Sequence, residues 1–144
     1  MIVSNDTLRG QLKARMSALS LGTHDFGIAM TTAAYSPEGA AWVDELVAYL
    51  DGNRKLFDDG VNAIPGVTSM PLEATYLSWV DFSGTGMTRE EYKRRVNKDA
   101  RIAVNYGSTF GSGGETFLRF TIGMPRAQIA EAVERLQAAF ADLQ

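Results

Sequence analysis

The sequence predicts an α+β domain that is preceded by a helical arm. Up to Ile64, apolar residues recur at helical spacing. After Pro65-Gly66 the chain changes to segments rich in β-branched and aromatic residues, separated by turn-forming stretches. The order is helices first, then strand, helix, strand, strand and helix, which is typical of an α+β unit with a small, partly antiparallel sheet and helices packed on it.

Three helices are expected before Pro65. Residues 4–6, Ser-Asn-Asp, can cap a first helix because their side-chain oxygens accept hydrogen bonds from free backbone N–H groups. Its apolar residues share one stripe: Leu8, Leu12, Met16 and Leu19. A run of small residues from Ile28 to Tyr35 predicts a second helix. Ser36-Pro37 then opens a long third helix that reaches Ile64, because proline is favoured at the first helical position.

Two strands and a short helix are expected next. Leu72 to Phe82 is rich in aromatic and β-branched residues and predicts a strand. Thr88 and Glu91 have the spacing of a capping box, which predicts a charged helix through Val96. Arg101 to Tyr106 is expected to form the second strand.

The last part contains a glycine-rich loop, a strand and a helix. The loop, Gly107 to Gly114, lacks the lysine and serine or threonine of a P-loop and leads into a strand, Thr116 to Ile122, so it does not predict a phosphate cradle. Pro125 starts a final helix with apolar residues at helical spacing: Ile129, Val133, Leu136 and Phe140.

Composition limits the classes of function. The chain has 144 residues, of which 45% are hydrophobic, enough for one compact domain with an appended arm. Its 14 basic and 17 acidic residues are interleaved, so we expect no nucleic-acid partner. The absence of cysteine and the single histidine, His24, exclude disulfides, thiolate sites and a multi-histidine metal site. Without a signal or a membrane-spanning run, we expect a soluble, cytoplasmic protein that has no membrane partner.

Three stretches are similar, in order, to segments of one enzyme family. The first contains Ala33-Ala34-Tyr35, Gly39, Trp42, Leu46, Tyr49-Leu50 and Asn53. The second is Pro71 to Asp81, and the third contains Gly107, Phe110-Gly111, Gly113-Gly114, Phe117, Arg119 and Pro125. Together they resemble the C-terminal portion of the pyridoxal-phosphate-dependent class I/II aminotransferases, which have fold type I, and within them the cystathionine β-lyase or carbon–sulfur lyase-like branch.

The resemblance implies a domain organisation. Residues 1–35 would be a helical remnant of the large cofactor-binding domain, residues 36–64 the helix that links the domains, and residues 65–144 the small C-terminal domain. It also implies a homodimer in which the loop around His24 lies near the subunit interface.

The resemblance implies that Arg119 binds the α-carboxylate of an amino-acid substrate. A guanidinium presents a planar fork of donors that matches a carboxylate. The alternative is an ordinary strand arginine paired with a nearby carboxylate such as Glu115. Thr121 departs from the family pattern, which more often has asparagine there.

The resemblance further implies pyridoxal 5'-phosphate as the cofactor of the intact enzyme, held by a lysine that forms a Schiff base. That lysine is expected upstream of Met1, so we expect no catalytic and no cofactor-binding residue in this chain. Lys13, Lys55, Lys93 and Lys98 all lie in polar stretches. The chain alone is therefore expected to be inactive and to bind no cofactor.

Several other interpretations stay open at this point. The parent enzyme could catalyse β-elimination from cystathionine or a related sulfur amino acid, or transamination. The chain could instead be a non-enzymatic domain that binds a small ligand or a protein. His24-Asp25 is a weak candidate base, Glu90-Glu91 is better explained as a helix cap, and Trp42 and Trp79 as core or interface aromatics.

Overall fold

The computed structural model describes residues 2–143, and the contacts among these residues divide them into two compact units, one up to Asp44 and one from Glu45 onward. The described residues form five α-helices, α1 to α5: Asp6–Ala18, Asp25–Ala34, Pro37–Asn62, Arg89–Arg94 and Arg126–Ala139. They also form four strands, β1 to β4: Thr68–Ser69, Leu77–Asp81, Asn105–Tyr106 and Phe117–Thr121. The predicted α+β class is confirmed.

Helices α1 and α2 are capped by side chains but bury none of their residues. The Asn5 side chain accepts a hydrogen bond from the Leu8 N–H at 3.0 Å, and that of His24 accepts one from the Gly27 N–H at 3.0 Å. The second helix was predicted to begin at Ile28. It begins three residues earlier, at Asp25, because the imidazole of His24 caps it.

Helix α3 starts at Pro37 as predicted and ends at Asn62, two residues before the predicted end. Its second half enters the core of the second unit through Asn53, Phe57 and Val61, which are buried. The spacing of four residues between these positions places them on one face of the helix.

The four strands form one antiparallel sheet in the order β1-β2-β4-β3. The central pair, β2 and β4, runs in register from Leu77 opposite Thr121 to Asp81 opposite Phe117. The short outer strands pair over two residues each, β1 with β2 and β3 with β4.

The predicted strands are longer than the observed ones. Residues 72–76 of the first are outside the sheet, because Thr75 has a φ of 70° and breaks the extended backbone. In the second, only Asn105–Tyr106 pairs, because Arg101 has a φ of 55° and the Ile102 N–H bonds to the Val96 carbonyl instead of a strand. Strand β1 was not predicted, since two residues are too few to show a period.

The core of the second unit is enclosed by the sheet, α3, α4 and α5. It holds aromatic contacts between Phe57 and Phe120 at 5.4 Å, and between Phe82 and both Tyr92 at 5.1 Å and Phe140 at 5.8 Å. Apolar residues of α5 complete it: Ile129, Val133 and Leu136. The last helix therefore lies where its predicted stripe required.

Helix α4 keeps half of the predicted capping box. The Thr88 hydroxyl accepts from the Glu91 N–H at 3.3 Å, whereas the Glu91 carboxylate bonds to Arg94 and Arg95 rather than back to the cap. A π-helical turn, Arg95–Asp99, extends the helix beyond the predicted end at Val96.

No helix within residues 2–143 is both long and apolar enough to span a bilayer. Over the same residues, the acidic side chains and His24 form no cluster of three or more that could hold a metal ion.

Candidate substrate-binding site

The central strands present two different faces. On the face toward the helices, Ser78 and Val80 of β2 and Leu118 and Phe120 of β4 are buried. The other face carries half-buried side chains, among them Trp79 and Arg119, because side chains alternate along a strand. This second face, with the glycine-rich loop beside it, is the candidate site.

Arg119 lies at the centre of that face. It is directly opposite Trp79 of β2 on one side and Asn105 of β3 on the other. Directly opposed residues in an antiparallel pair share one face of the sheet, so these three side chains are neighbours. A rigid central strand is a good mount for a binding group, because its backbone is fixed by hydrogen bonds on both sides.

Among residues 2–143, Asn105 and Phe110 contact the guanidinium of Arg119. One terminal nitrogen, Nη2, donates to the Asn105 side-chain oxygen at 2.9 Å, and the guanidinium carbon lies 4.5 Å from the centre of the Phe110 ring. Its Nε is buried and finds no hydrogen-bond acceptor among the described residues. Since a buried donor without an acceptor costs about 1–3 kcal/mol, this arrangement does not serve stability.

The alternative of an arginine paired with a carboxylate does not hold for residues 2–143. No Asp or Glu side chain in this part of the chain lies within ion-pair distance of Arg119. Glu115 is exposed, and its backbone carbonyl accepts from the Tyr92 hydroxyl at 2.7 Å. The charge of Arg119 is therefore not neutralised within the described chain.

Beside Arg119, a cavity of about 220 Å³ is lined by Trp79 and six residues of the glycine-rich loop: Gly107, Phe110, Gly111, Ser112, Gly113 and Gly114. The Trp79 ring stacks on Phe117 at 5.4 Å and meets Phe110 edge-on at 5.6 Å. Trp79 is thus part of this aromatic wall, whereas Trp42 is 63% exposed and belongs to no core within the described residues.

A second polar cluster fixes the chain just beyond β4. Asn53 is fully buried, and its amide nitrogen donates to the carbonyls of Ile122 and Met124, both at 2.9 Å. Its side-chain oxygen accepts from Nε of Arg126 at 3.0 Å, and Arg126 also donates to the hydroxyl and the carbonyl of Tyr49 at 2.7 Å. This Asn53 clamp ties α3 to the turn that follows the strand of Arg119.

The four lysines do not fit a covalent anchor for the cofactor. Lys55 pairs with Asp51 at 3.0 Å, and the ammonium of Lys93 lies 4.1 Å from the centre of the Tyr106 ring. Lys13 and Lys98 are exposed. A Schiff-base lysine needs a desolvated surrounding, whereas Lys13, Lys55 and Lys98 are exposed to water.

The remaining candidates have structural roles. Nδ1 of His24 accepts the Gly27 N–H and caps α2, so it is occupied as a cap rather than free as a base. Glu91 lies at the start of α4, where Arg94 and Arg95 lower its pKa to about 2. A carboxyl group with so low a pKa is a poor general acid or base at neutral pH.

Sequence reasoning proposed Arg119 as a binding residue but did not predict its surroundings. Asn105 has no sequence signal, because its contact depends on the register between β3 and β4. Asn53 and Phe110 were marked only through the family resemblance. The one local sign of the Asn53 clamp is an asparagine on the apolar face of the helix, three residues after Leu50 and four before Phe57.

Comparisons with known proteins place the chain in a family. The family described as aminotransferase class I and II matches residues 1–136. Cystathionine beta-lyase PatB of Bacillus subtilis is 31% identical over 140 residues, which cover 96% of this chain and 36% of that protein. The chain therefore spans about a third of the length of the curated relatives it matches.

Two solved structures superpose closely. A PLP-bound putative aminotransferase from Clostridium difficile 630 gives a TM-score of 0.85 at 27% identity, over 96% of this chain and 36% of that one. Cystalysin from Treponema denticola, which contains a pyridoxal 5'-phosphate cofactor, gives 0.84 at 28% identity, over 99% and 36%. Both of these related proteins hold pyridoxal phosphate, which supports the expectation that it is the cofactor of the intact enzyme. The chain belongs to the class I and II aminotransferase family and corresponds to a segment, about a third of the full length, of its carbon–sulfur lyase-like branch.

Proposed function

We propose that this chain supplies the substrate-carboxylate site of a pyridoxal-phosphate-dependent enzyme that acts on amino acids. The observation that carries this proposal is the unneutralised guanidinium of Arg119 on the open face of the sheet, with no carboxylate partner among residues 2–143. A planar donor fork on a fixed strand can bind a carboxylate with two parallel hydrogen bonds. Asn105 takes only one N–H of Nη2, so further terminal donors stay available.

The reaction class we favour is β-elimination from a sulfur amino acid such as cystathionine, with transamination as the second candidate. PatB, a relative at 31% identity, is named a cystathionine beta-lyase, which supports the first. The cofactor, when bound, withdraws electrons from the substrate α-carbon. The residues of this chain orient the substrate by its carboxylate. Residues outside this chain decide which bond at the α-carbon is broken.

The decisive experiment is substitution of Arg119 in a full-length enzyme that contains this segment. Arg119→Ala should lower kcat/KM by about 10²-fold, because a charge-assisted double hydrogen bond, worth about 3 kcal/mol, is lost. Arg119→Lys should also be poor, since an ammonium cannot present the fork. Exposed Lys98→Gln is the control for lost charge, and near-parental kinetics in both Arg119 variants would refute the role.

The isolated chain should turn over neither cystathionine nor an amino-group donor when pyridoxal phosphate is added. Its lysines lie on polar surface, so borohydride should trap at most a scattered, substoichiometric adduct. Mass spectrometry of the reduced protein checks this. A stoichiometric adduct on a single lysine, together with turnover, would move the catalytic site into this chain.

We also propose that the chain forms a homodimer through its helical arm. The apolar stripe of α1 is largely in water, with Leu8 57%, Met16 41% and Leu19 52% exposed. Each such side chain left in water forgoes about 1.5–3 kcal/mol of burial, and contiguous apolar surface of this kind usually pairs with protein. A closed symmetric dimer is the commonest outcome.

Sedimentation at micromolar concentration tests the dimer. The wild-type chain should sediment as a dimer. The double substitution Leu8→Glu and Leu19→Glu should shift it to monomer, because burying unpaired carboxylates in the dimer interface is too costly. Lys13→Glu is a control that places a new carboxylate on α1 without removing an apolar side chain. A monomeric wild type would contradict the proposal.

A non-enzymatic binding domain is the second candidate function. The observation in its favour is that the residues from Glu45 onward enclose a core of their own. Two results together would favour this alternative. A chain of residues 45–144 would unfold cooperatively by itself, and the Arg119 substitutions would leave the activity of the full-length enzyme unchanged.

A further inference from the structure

The glycine-rich loop has a backbone that only glycine permits at its two ends. A β-carbon on Gly107 would lie 2.2 Å from the carbonyl oxygen of Gly114, so the loop ends touch through bare backbone. Between them, the Phe110 N–H bonds to the Gly107 carbonyl at 2.9 Å. The closed loop therefore carries Phe110 back over the open face of the sheet.

Phe110 is not a core residue, since 52% of it is exposed. Its ring meets Trp79 edge-on at 5.6 Å, and the guanidinium carbon of Arg119 lies 4.5 Å from its centre. A cation above an aromatic face is attracted by the negative charge of the ring face. Phe110 thus covers one side of the guanidinium without taking any of its hydrogen-bond donors.

Asn105 holds one terminal nitrogen of the same group. Its side-chain oxygen accepts from Nη2 of Arg119 at 2.9 Å, across the short pairing of β3 with β4. An amide is a neutral acceptor, so this hydrogen bond orients the guanidinium and leaves its charge in place. An aspartate at the same position would both orient and neutralise it.

We propose that Asn105 and Phe110 are positioning residues that hold the guanidinium of Arg119 in one orientation before any carboxylate binds. The proposal rests on the function proposed above for Arg119, but its first test does not depend on it. Such preorganisation raises the affinity for a carboxylate. A mobile arginine would lose side-chain conformational entropy on binding, and that loss would weaken the binding.

The first measurement is rotation about the Nε–Cζ bond of Arg119, followed by ¹⁵N NMR of arginine side chains in the full chain. Rotation should be slow in the wild type and about tenfold faster in Asn105→Ala, the loss expected for one hydrogen bond to a charged group. Phe110→Leu should also speed it, while Phe110→Tyr, which keeps the ring, should restore slow rotation. Exposed Arg15 is the internal reference, and Thr32→Ala, on the exposed surface of α2, is the control.

The second measurement is titration with sodium acetate against sodium chloride at equal ionic strength. Asn105→Ala should weaken the acetate-dependent shift of the Arg119 signals by about tenfold. Asn105→Asp should separate the two effects: rotation stays slow, because an acceptor remains, but acetate binding is lost, because the charge is neutralised.

Unchanged rotation in both Asn105→Ala and Phe110→Leu would overturn the positioning role. Acetate binding as strong in Asn105→Asp as in the wild type would overturn the claim that a neutral acceptor matters. If the wild type does not bind acetate while the variants speed rotation, the positioning holds and the carboxylate site proposed for Arg119 fails, so the two proposals fail separately.

Discussion

Helices α1 and α2 bury none of their residues within the chain, whereas every buried apolar side chain of residues 2–143 lies between Phe57 and Phe140. Both regions contain regular helices with apolar residues at helical spacing. The difference shows that periodicity predicts a helix but not a partner for its apolar face. The free energy of folding therefore comes mainly from the core of the second unit. The first unit adds exposed apolar side chains instead of a core.

The sharpest test of this contrast replaces one phenylalanine in each unit. Phe82 is 2% exposed and packs on Tyr92 and Phe140, so Phe82→Ala should lower the free energy of unfolding by about 3–5 kcal/mol. Phe26 is 80% exposed, so Phe26→Ala should change it by less than about 0.5 kcal/mol. Urea unfolding measures both, and equal effects would show that α2 shares a core.

A pair of asparagines gives the next largest difference. Asn53→Ala leaves the carbonyls of Ile122 and Met124 without their donor and should cost about 2–4 kcal/mol. Asn5→Ala removes the cap of α1, worth about 1 kcal/mol of that helix, and should leave the unfolding midpoint of the second unit unchanged. Tryptophan fluorescence in a Trp42→Phe background, which leaves Trp79 as the single tryptophan, and circular dichroism of the helices separate the two. A large midpoint shift from Asn5→Ala would contradict the division into units.

The smallest expected effect is on the stability of the fold at acidic pH. Arg94 and Arg95 lower the pKa of Glu91 from its usual 4.5 to about 2, so the folded chain holds this carboxylate charged where the unfolded chain would protonate it. The stabilisation is present above pH 4.5 and is lost as the pH falls through about 2. Glu91→Gln should therefore flatten the decline of stability between pH 5 and about 2, measured by urea unfolding at each pH, and an unchanged slope would speak against it.

The same contrast explains which sequence predictions were accurate. The starts of α1, α3 and α5 follow from capping residues and proline, which act over three or four residues, so they were placed to within about two residues. The start of α2 was missed because a histidine cap is not among the usual capping residues. Strand lengths were overestimated because positive φ at Thr75 and Arg101 leaves no composition signal.

The order of helices and strands, the α+β class and the family follow from the sequence, as does the proposal of Arg119 as a site residue, because helical period, turn residues and family motifs are local along the chain. The contacts of Arg119 with Asn105 and Phe110 follow from the pairing of β3 with β4 and the closed glycine loop. The Asn53 clamp joins positions about seventy residues apart. Such contacts depend on register and packing, which no single stretch of sequence encodes.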